Sequence, residues 1–225
     1  MRYEKVCSAR FLARPNRFIA RVLINGAEET VHVKNTGRCR ELLLPGAEVI
    51  LSESDNPARK TRCDLIAVYK GGMLINMDSQ APNAAAGELL TRLFPGCALF
   101  PEHRYGHSRF DFYLEQGQRR IFVEVKGVTL EREGRAMFPD APTERGLRHL
   151  RELAAARQEG FEAYILFLVQ MKGCHVFSPN SETDPAFAAA LREAAGQGVN
   201  VLCYDCLVTP DSMTADAPVP VDLGE

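Results

Sequence analysis

Two short stretches in the middle of the chain carry residue types that can act together on a phosphate ester. Arg109–Leu114 and Arg119–Lys126 alternate apolar and polar residues on either side of a polar, glycine-containing link, which is typical of a β-hairpin. Because alternate side chains of a strand share a face, Glu124 and Lys126 stand side by side. Asp111 lies inside the apolar first strand, where a charge is costly unless it is paired or bound to a metal.

Two carboxylates and one ammonium group on adjacent strands can hold a divalent cation and act on a phosphodiester. We expect Asp111, Glu124 and the backbone carbonyl of Val125 to bind Mg²⁺ or Mn²⁺, because hard cations prefer oxygen ligands. Lys126 would position or deprotonate the attacking water, or stabilise the charged phosphorane. The competing interpretation is a surface hairpin with an ordinary Glu–Lys pair.

Further charged residues flank this hairpin in an order that suits the same chemistry. Glu88, on a predicted helix over 84–94, or Glu102, after a short apolar segment, would complete the shell of a second ion. Arg145 or Arg148, on a predicted helix that Thr143 caps and that runs to residue 158, would grip the phosphate. Glu88 and Arg145 therefore join the three hairpin residues as candidate catalytic groups.

The composition is that of a globular protein with one large or two small domains. The chain has 225 residues and a net charge of -2. Residues 1–80 carry thirteen Lys and Arg residues against nine Asp and Glu residues, whereas residues 81–225 carry fourteen against twenty. This asymmetry favours a nucleic-acid-tolerant first part and a carboxylate-rich second part.

Several locations and chemistries are disfavoured by the sequence. No apolar run is long enough for a transmembrane helix, and the first residues lack the apolar core of a signal peptide. The seven cysteines are an odd number at irregular spacings, which indicates reduced thiols in a cytoplasmic protein without a membrane partner. Cys203-x-x-Cys206 leaves a metal or redox protein as a further hypothesis, although no second cysteine pair accompanies it, and a structural role is the simpler interpretation.

Residues 1–80 predict a small β-barrel of the OB type. Five strands recur at roughly ten-residue spacing, over 17–24, 30–34, 48–52, 64–70 and 73–77. Such barrels often bind single-stranded nucleic acid through basic and aromatic groups on one face. The candidate nucleic-acid-binding residues are Arg14, Arg17, Asn35, Arg38 and Arg40, and the alternative is a solvated basic loop on a structural barrel.

Residues 81–225 predict a mixed three-layer α/β domain. The order of elements reads α-β-β-α-β-β-α-β, after a Ser-, Pro-, Asn- and Ala-rich boundary over 79–86. The segment over 161–170 is continuously apolar, as in a strand buried on both sides. The segments 128–142 and 210–225 are expected to be a polar stretch and an extended tail.

The spacing of the candidate residues resembles the PD-(D/E)XK nuclease core, in which an acidic residue precedes a (D/E)-X-K strand. Glu124–Val125–Lys126 matches the second element and Asp111 the first. The chain departs from the pattern because Phe110, not proline, precedes Asp111. The literal Pro139–Asp140 pair follows Lys126, which is the wrong order, and we treat it as a loop feature.

A more specific resemblance covers nearly the whole chain. It rests on four long runs, VKNTGRCRELLLPG (33–46), SRFDFYL (108–114), IFVEVKGVTL (121–130) and AMFPDAPTERGLRHLREL (136–153), which are similar to the sugar fermentation stimulation protein A family. The resemblance implies an OB-like domain joined to a PD-(D/E)XK-type domain, and DNA binding as the assigned activity. It also implies that Asp111, Glu124 and Lys126 are the catalytic-type positions. Other members of the recurring strings have no role that we can derive: Asn35, Thr36, Gly37, Thr143, Arg145, Gly146, His149 and Leu150.

Two functional hypotheses therefore stand side by side. The first is a Mg²⁺-dependent phosphodiesterase acting on DNA or RNA, either single- or double-stranded. The second is a non-catalytic DNA-binding regulator of sugar metabolism genes with a vestigial nuclease core. The carboxylates favour the first, because they repel a polyanion unless a cation offsets their charge. The sequence leaves open a homo-oligomer.

Overall fold

The first part of the chain folds into a closed β-barrel in the computed structural model, which describes residues 1–35, 37–106 and 108–224. The sheet order is β3-β2-β1-β4-β5-β6, and a parallel pairing of β3 with β5 closes β1 to β5 into a barrel. Alternate residues such as Val22, Val31, Val49 and Leu65 fill the interior. The strands are β1 Val6–Asn16, β2 Ile19–Ile24, β3 Ala27–Val33, β4 Glu48–Glu53, β5 Cys63–Lys70 and β6 Met73–Asn76.

The predicted OB-like barrel is confirmed, although the prediction omitted its longest strand. Strand β1 contains Pro15 and two arginines, which weaken its apolar alternation. Strand β2 begins at Ile19, so Phe18 lies in the preceding turn, where 51% of it is exposed. Thr36, one residue of the family strings, lies outside the described residues.

The second part of the chain is a three-layer α/β domain, as predicted. Its sheet has the order β15-β14-β12-β9-β8-β7, in which β9, β12 and β14 run parallel. Helix α1 packs on one face, and helices α2 and α3 pack on the other. The helices are α1 Ala81–Leu93, α2 Glu144–Gln158 and α3 Pro185–Gly196. The strands are β7 Ala98–Tyr105, β8 Ser108–Gln116, β9 Arg119–Val128, β10 Leu130–Arg132, β11 Arg135–Phe138, β12 Glu162–Val169, β13 Val176–Pro179, β14 Asn200–Thr209 and β15 Ser212–Pro218.

Four strands of this domain were missed by the sequence prediction. Strand β7 contains Pro101 and β15 is polar; both lie at the edges of the sheet, where proline and polar residues are tolerated. Strands β10 and β11 form a short hairpin inside the segment that we expected to be polar coil. The expected tail over 210–225 contains β15, and its last residue, Glu225, lies outside the described residues.

A buried polar network joins the two parts of the chain. Gln170, directly after β12, donates through Nε2 to Asn76 Oδ1 at 3.0 Å and to the carbonyl of Asp78 at 3.2 Å. Asn76 in turn donates to the hydroxyl of Tyr3, which contacts the Asp78 carboxylate. These contacts hold the barrel against the ends of β9 and β12, so both parts contribute to the surface there. None of the helices in the described residues is long and apolar enough to cross a membrane.

Candidate active site

The β8–β9 hairpin brings the first predicted carboxylate against the second strand. Phe112 pairs with Val123, and Asp111, the residue before Phe112, contacts Val125. Asp111 Oδ2 accepts a hydrogen bond of 2.8 Å from the amide of Val125, and its Oδ1 accepts one of 2.8 Å from Asn83 Nδ2 at the start of α1. The main-chain contact of Val125 seen here is thus made by its amide N–H, whereas the sequence analysis assigned its carbonyl to a metal.

Glu124 is almost fully buried, with 2% of its surface exposed. Its Oε1 receives both Lys126 Nζ, at 2.5 Å, and His149 Nδ1. Its Oε2 is buried and has no hydrogen-bond partner among the residues that the structure describes. A buried carboxylate oxygen without a donor is costly, and a bound cation would offset that cost.

The surroundings of Asp111 and Glu124 shift the pKa values of the two carboxyl groups in opposite directions. Burial, reinforced by the charge of Glu124, raises the pKa of Asp111. Burial also acts to raise the pKa of Glu124, but the hydrogen bond from His149 and the charge of Lys126 outweigh it, and the pKa falls below its ordinary value. Opposed shifts in neighbouring carboxyl groups are typical of functional sites.

His149, for which the sequence alone indicates no role, is a member of the cluster. Thr143 caps α2 as predicted, accepting from the amide of Gly146 at 3.0 Å. His149 is 2% exposed and contacts Glu124, and its Nε2 lies 3.5 Å from Arg145 Nε. Because a carboxylate oxygen only accepts, Nδ1 of His149 is the donor in this contact. Gly146, His149, Leu150 and Leu153 follow the spacing of one helix face, and that periodicity could have revealed His149 as buried.

The outlying carboxylates are placed differently from the expectation. Glu88 directs its carboxylate to the amino group of Met1 at 2.9 Å, so Asn83, one turn earlier on α1, is the helix residue that contacts Asp111. Glu102 lines an open surface cleft together with Asp111, but its carboxylate pairs with Arg109 at 3.2 Å. The structure therefore provides no second-ion shell from Glu88.

Arg145 and Arg148, the two candidate phosphate-binding residues on α2, differ in their distance from the cluster. Arg145 reaches the cluster through its contact with His149, and its side chain is exposed at the mouth of the site. Arg148 is exposed and makes no hydrogen bond or ion pair among the described residues. Arg145 is therefore the better-placed cation for a phosphate.

Arg14, a predicted nucleic-acid contact, uses its guanidinium to stabilise the basic loop of the barrel. Its guanidinium donates to the carbonyl oxygens of four loop residues at 2.6–2.8 Å: Arg17, Asn35, Gly37 and Arg38. The Asn35 side chain is also engaged locally, donating to the carbonyl of Met77 and accepting from the amide of Gly37. Both residues build the loop that carries the remaining arginines.

Three of the predicted nucleic-acid-binding residues remain exposed. Arg17, Arg38 and Arg40 line a surface cleft of about 360 Å³ and pair with no acidic side chain among the described residues. Phe18 is exposed in the turn beside Arg17. Unpaired guanidinium groups and an exposed aromatic ring are the groups with which barrels of this type bind a nucleic-acid strand.

The donor set of the cluster fits a hard cation that retains water. Asp111 and Glu124 offer carboxylate oxygens, and the described residues hold no group of three His, Cys, Asp or Glu side chains arranged as a metal centre. Mg²⁺ is commonly held by one or two carboxylates, with water and phosphate oxygens completing its shell. The arrangement therefore fits Mg²⁺ or Mn²⁺ better than an all-protein zinc site.

The cysteine pair takes no part in this site. Cys203 and Cys206 are free buried thiols that pack in different hydrophobic clusters, one on each side of the sheet. Burial raises the pKa of both thiols, that of Cys206 to about 12. Thiols with raised pKa values that lie on opposite sides of the sheet are consistent with the structural role.

Family models match both parts of the chain. The model described as "SfsA N-terminal OB domain" matches residues 12–77, and that described as "Sugar fermentation stimulation protein RE domain" matches residues 80–212.

Whole-chain relatives agree with these matches. A sugar fermentation stimulation protein homolog from Desulfitobacterium hafniense (strain Y51) is 57% identical over 227 residues and covers 100% of both chains. One from Ruminiclostridium cellulolyticum is 51% identical over 226 residues, covering 99% of this chain and 100% of the relative. The solved structure of Pyrococcus furiosus SfsA in complex with Ca²⁺ superimposes with a TM-score of 0.88 at 30% identity, covering 99% and 98% of the two chains.

Proposed function

Because this chain belongs to the sugar fermentation stimulation protein family, we propose that it is a divalent-metal-dependent phosphodiesterase acting on DNA. Asp111, Glu124 and Lys126 form its reactive cluster, and the exposed arginines of the barrel loop bind the DNA backbone. A cytoplasmic location, where both Mg²⁺ and DNA are present, is part of the same proposal.

One observation carries this proposal. Glu124 Oε2 is buried and receives no hydrogen bond from the described part of the chain, although Oε1 of the same carboxylate receives two. An orphaned anionic oxygen beside a second carboxylate destabilises the fold unless a cation occupies the space between them. Ca²⁺ in the Pyrococcus furiosus relative supports the assignment, because Ca²⁺ and Mg²⁺ both prefer oxygen ligands.

Each residue of the cluster has a distinct task in this mechanism. Asp111 and Glu124 hold the cation, which when bound polarises the phosphoryl oxygens and lowers the pKa of water. Asn83 and the amide of Val125 fix the Asp111 carboxylate, while His149 fixes that of Glu124. The Lys126 ammonium, 13% exposed, orients the nucleophile and neutralises charge on the phosphate.

A non-catalytic DNA-binding regulator is the second candidate, and one contact favours it. Lys126 Nζ lies 2.5 Å from Glu124 Oε1, so an ion pair within the protein already satisfies much of both charges. A core that is held by such a pair can persist as a structural remnant while the barrel binds DNA.

The deciding experiment incubates the purified chain with end-labelled single- and double-stranded DNA in Mg²⁺, Mn²⁺ or EDTA. Asp111→Ala and Lys126→Ala run alongside, and Glu88→Gln serves as a control in a carboxylate outside the cluster. We expect metal-dependent cleavage that both cluster variants lose and the control retains. DNA binding without cleavage in any metal would favour the regulator. The absence of both binding and cleavage would rule out both candidates.

A further inference from the structure

A polar cavity, here called the junction pocket, lies where the barrel meets the α/β domain. Its volume is about 380 Å³, within the range of small-ligand sites. Gly127, near the end of β9, and Gln170, just after β12, form its floor at the carboxyl ends of two parallel strands. This edge of an α/β sheet is the usual place for ligands.

The floor of the junction pocket presents a hydrogen-bond acceptor without a donor. Gln170 is 2% exposed, and its Nε2 is fixed by Asn76 and Asp78. Its Oε1 lines the pocket and receives no hydrogen bond from the described residues. A Cβ atom on Gly127 would collide with this oxygen and with Pro82, so glycine keeps the acceptor accessible.

Two further oxygen groups face the same space. Thr129 is 8% exposed, and its hydroxyl has no partner among the described residues. Asp140 stands exposed at the mouth, with Oδ2 against the backbone of Gly37. The remaining walls are mixed. Their apolar part is formed by Pro82, Phe138, Pro139 and Pro142, and their polar part by Arg17, Asn35, Ser79 and Thr143.

The junction pocket adjoins the reactive cluster through three separate elements. Gly127 follows Lys126 on β9, and Pro82 precedes Asn83, which contacts Asp111. Thr143, which also lines the pocket, caps the helix that carries His149. An occupant of the pocket would therefore belong to the nucleotide at, or next to, the phosphate in the site.

The lining selects for the chemistry of the occupant. Proline rings and Phe138 suit a flat, weakly polar molecule, whereas Gln170 Oε1 and Asp140 need hydrogen-bond donors. A phosphate offers only acceptors and so satisfies neither Gln170 Oε1 nor Asp140, whose charge opposes the attraction that Arg17 in the lining exerts on it. A heterocycle with an exocyclic amino group can pack its flat ring on the apolar residues and donate to the acceptors. Enzymes that act on extruded bases recognise those bases in this way.

We propose that the junction pocket receives an unpaired, amino-bearing base of the strand that the cluster cleaves, which rests on the proposed function above. Adenine and cytosine present an amino group to Gln170 Oε1 and Asp140, whereas thymine presents a carbonyl oxygen at the equivalent edge. The enzyme accordingly favours DNA with an extruded or single-stranded nucleotide over a perfect duplex.

The test uses the full chain carrying Lys126→Ala, so that binding is measured without cleavage. Fluorescence anisotropy in Mg²⁺ compares duplexes with one central bulged adenine, cytosine, thymine or abasic site. We expect adenine and cytosine bulges to bind about tenfold more tightly than thymine or abasic bulges, a difference of about 1.4 kcal/mol that one good base contact can supply. Adding Thr129→Val or Asp140→Asn should bring the ratio of adenine to abasic affinity close to one.

Matched controls are available in exposed residues away from the pocket. Thr214→Val on β15 and Asp55→Asn before β5 should leave the ratio unchanged. A melting scan of each variant excludes misfolding as the cause of a loss.

The possible results separate this inference from the proposed function. Equal affinities for all four bulges, or a preference that survives both pocket variants, would overturn the base pocket while leaving metal-dependent cleavage intact. Loss of one bound Mg²⁺ on Thr129→Val, measured by calorimetric titration without DNA, would assign the pocket to a second cation and likewise overturn it. Failure of cleavage by the chain with native Lys126 would instead contradict the proposed function.

Discussion

His149 and Glu124 are hydrogen-bonded to each other in the interior, although 25 residues separate them along the chain. The contact joins helix α2 to strand β9, and the second oxygen of Glu124 has no donor within residues 1–35, 37–106 and 108–224. Residues that orient a metal-binding carboxylate in this way influence both metal affinity and activity.

Replacement of His149 should therefore impair the site, although His149 itself is not proposed to contact DNA. We expect His149→Ala to weaken Mg²⁺ binding and metal-dependent cleavage by about 10–100-fold. His149→Gln, which can still donate to Glu124, should recover a substantial part of both. Calorimetric Mg²⁺ titration and the cleavage assay measure the two effects, and full activity in His149→Ala would show that Glu124 needs no such support.

The ionised carboxylate of Asp111 should lower the free energy of unfolding of the metal-free protein. Its pKa is raised, so the folded state holds the proton more tightly than the unfolded state, and stability is lost as the pH rises above the ordinary Asp pKa of about 3.9. We expect Asp111→Asn to raise the free energy of unfolding in EDTA at pH 7 by about 1 kcal/mol, or roughly 2–4 °C in melting temperature.

The same variant should abolish the stabilisation by metal. Wild type should melt at a higher temperature in Mg²⁺ than in EDTA, whereas Asp111→Asn should melt equally in both. At pH 3 the difference between the two proteins in EDTA should disappear. An undiminished response to Mg²⁺ in Asp111→Asn would place the metal elsewhere.

The arginines of the barrel loop should divide into structural and DNA-binding members. Arg14→Ala removes four hydrogen bonds to carbonyl oxygens and should lower the melting temperature. Arg38→Ala and Arg40→Ala should leave it unchanged, but each should reduce the salt dependence of DNA binding by about one phosphate contact. Arg132→Ala, an exposed arginine of the other domain, is the control. An unchanged salt slope in both loop variants would place the DNA elsewhere.

Closure of the barrel should depend on pH through Asp64. This buried carboxylate accepts from His32 at 2.9 Å and from Arg59 Nη1 at 2.9 Å, and Lys34 lies 3.4 Å away. Burial acts to raise its pKa, but the hydrogen bonds from Arg59 and His32 outweigh it and lower the pKa.

A lowered pKa stabilises the folded state above the ordinary Asp pKa of about 3.9, and this stability is lost as the pH falls. We expect Asp64→Asn to cost about 3 kcal/mol at pH 7, because a buried charge network is broken. The difference from wild type should shrink as unfolding is measured at successively lower pH. A difference that is constant from pH 7 to pH 3 would assign the loss to packing instead.

The heart of the site was predictable because it is local. Asp111, Glu124 and Lys126 belong to one predicted hairpin, and the antiparallel pairing of β8 with β9 confirms that hairpin. The order of helices and strands also sufficed for the fold class, because buried strands and capped helices have strong periodic signals.

The remaining contacts depend on distant parts of the chain. His149 meets Glu124 only through the packing of α2 on the sheet, and Asn83 reaches Asp111 across α1. The contacts of Arg14 could not be read from the sequence, because its partners are backbone carbonyls, which every residue type possesses. Edge strands such as β7 escaped prediction because one of their sides pairs with nothing that would impose apolar alternation.

The Gln170 network has an evolutionary consequence. Asn76 and Asp78 of the first part of the chain accept, at the junction, the hydrogen bonds of Gln170 Nε2, which the second part buries. A recombination event that exchanged the barrel for an unrelated one would leave these groups stranded, so the two halves are expected to be inherited as a pair. Chimeras between relatives should succeed only when Gln170 and Asn76 travel together.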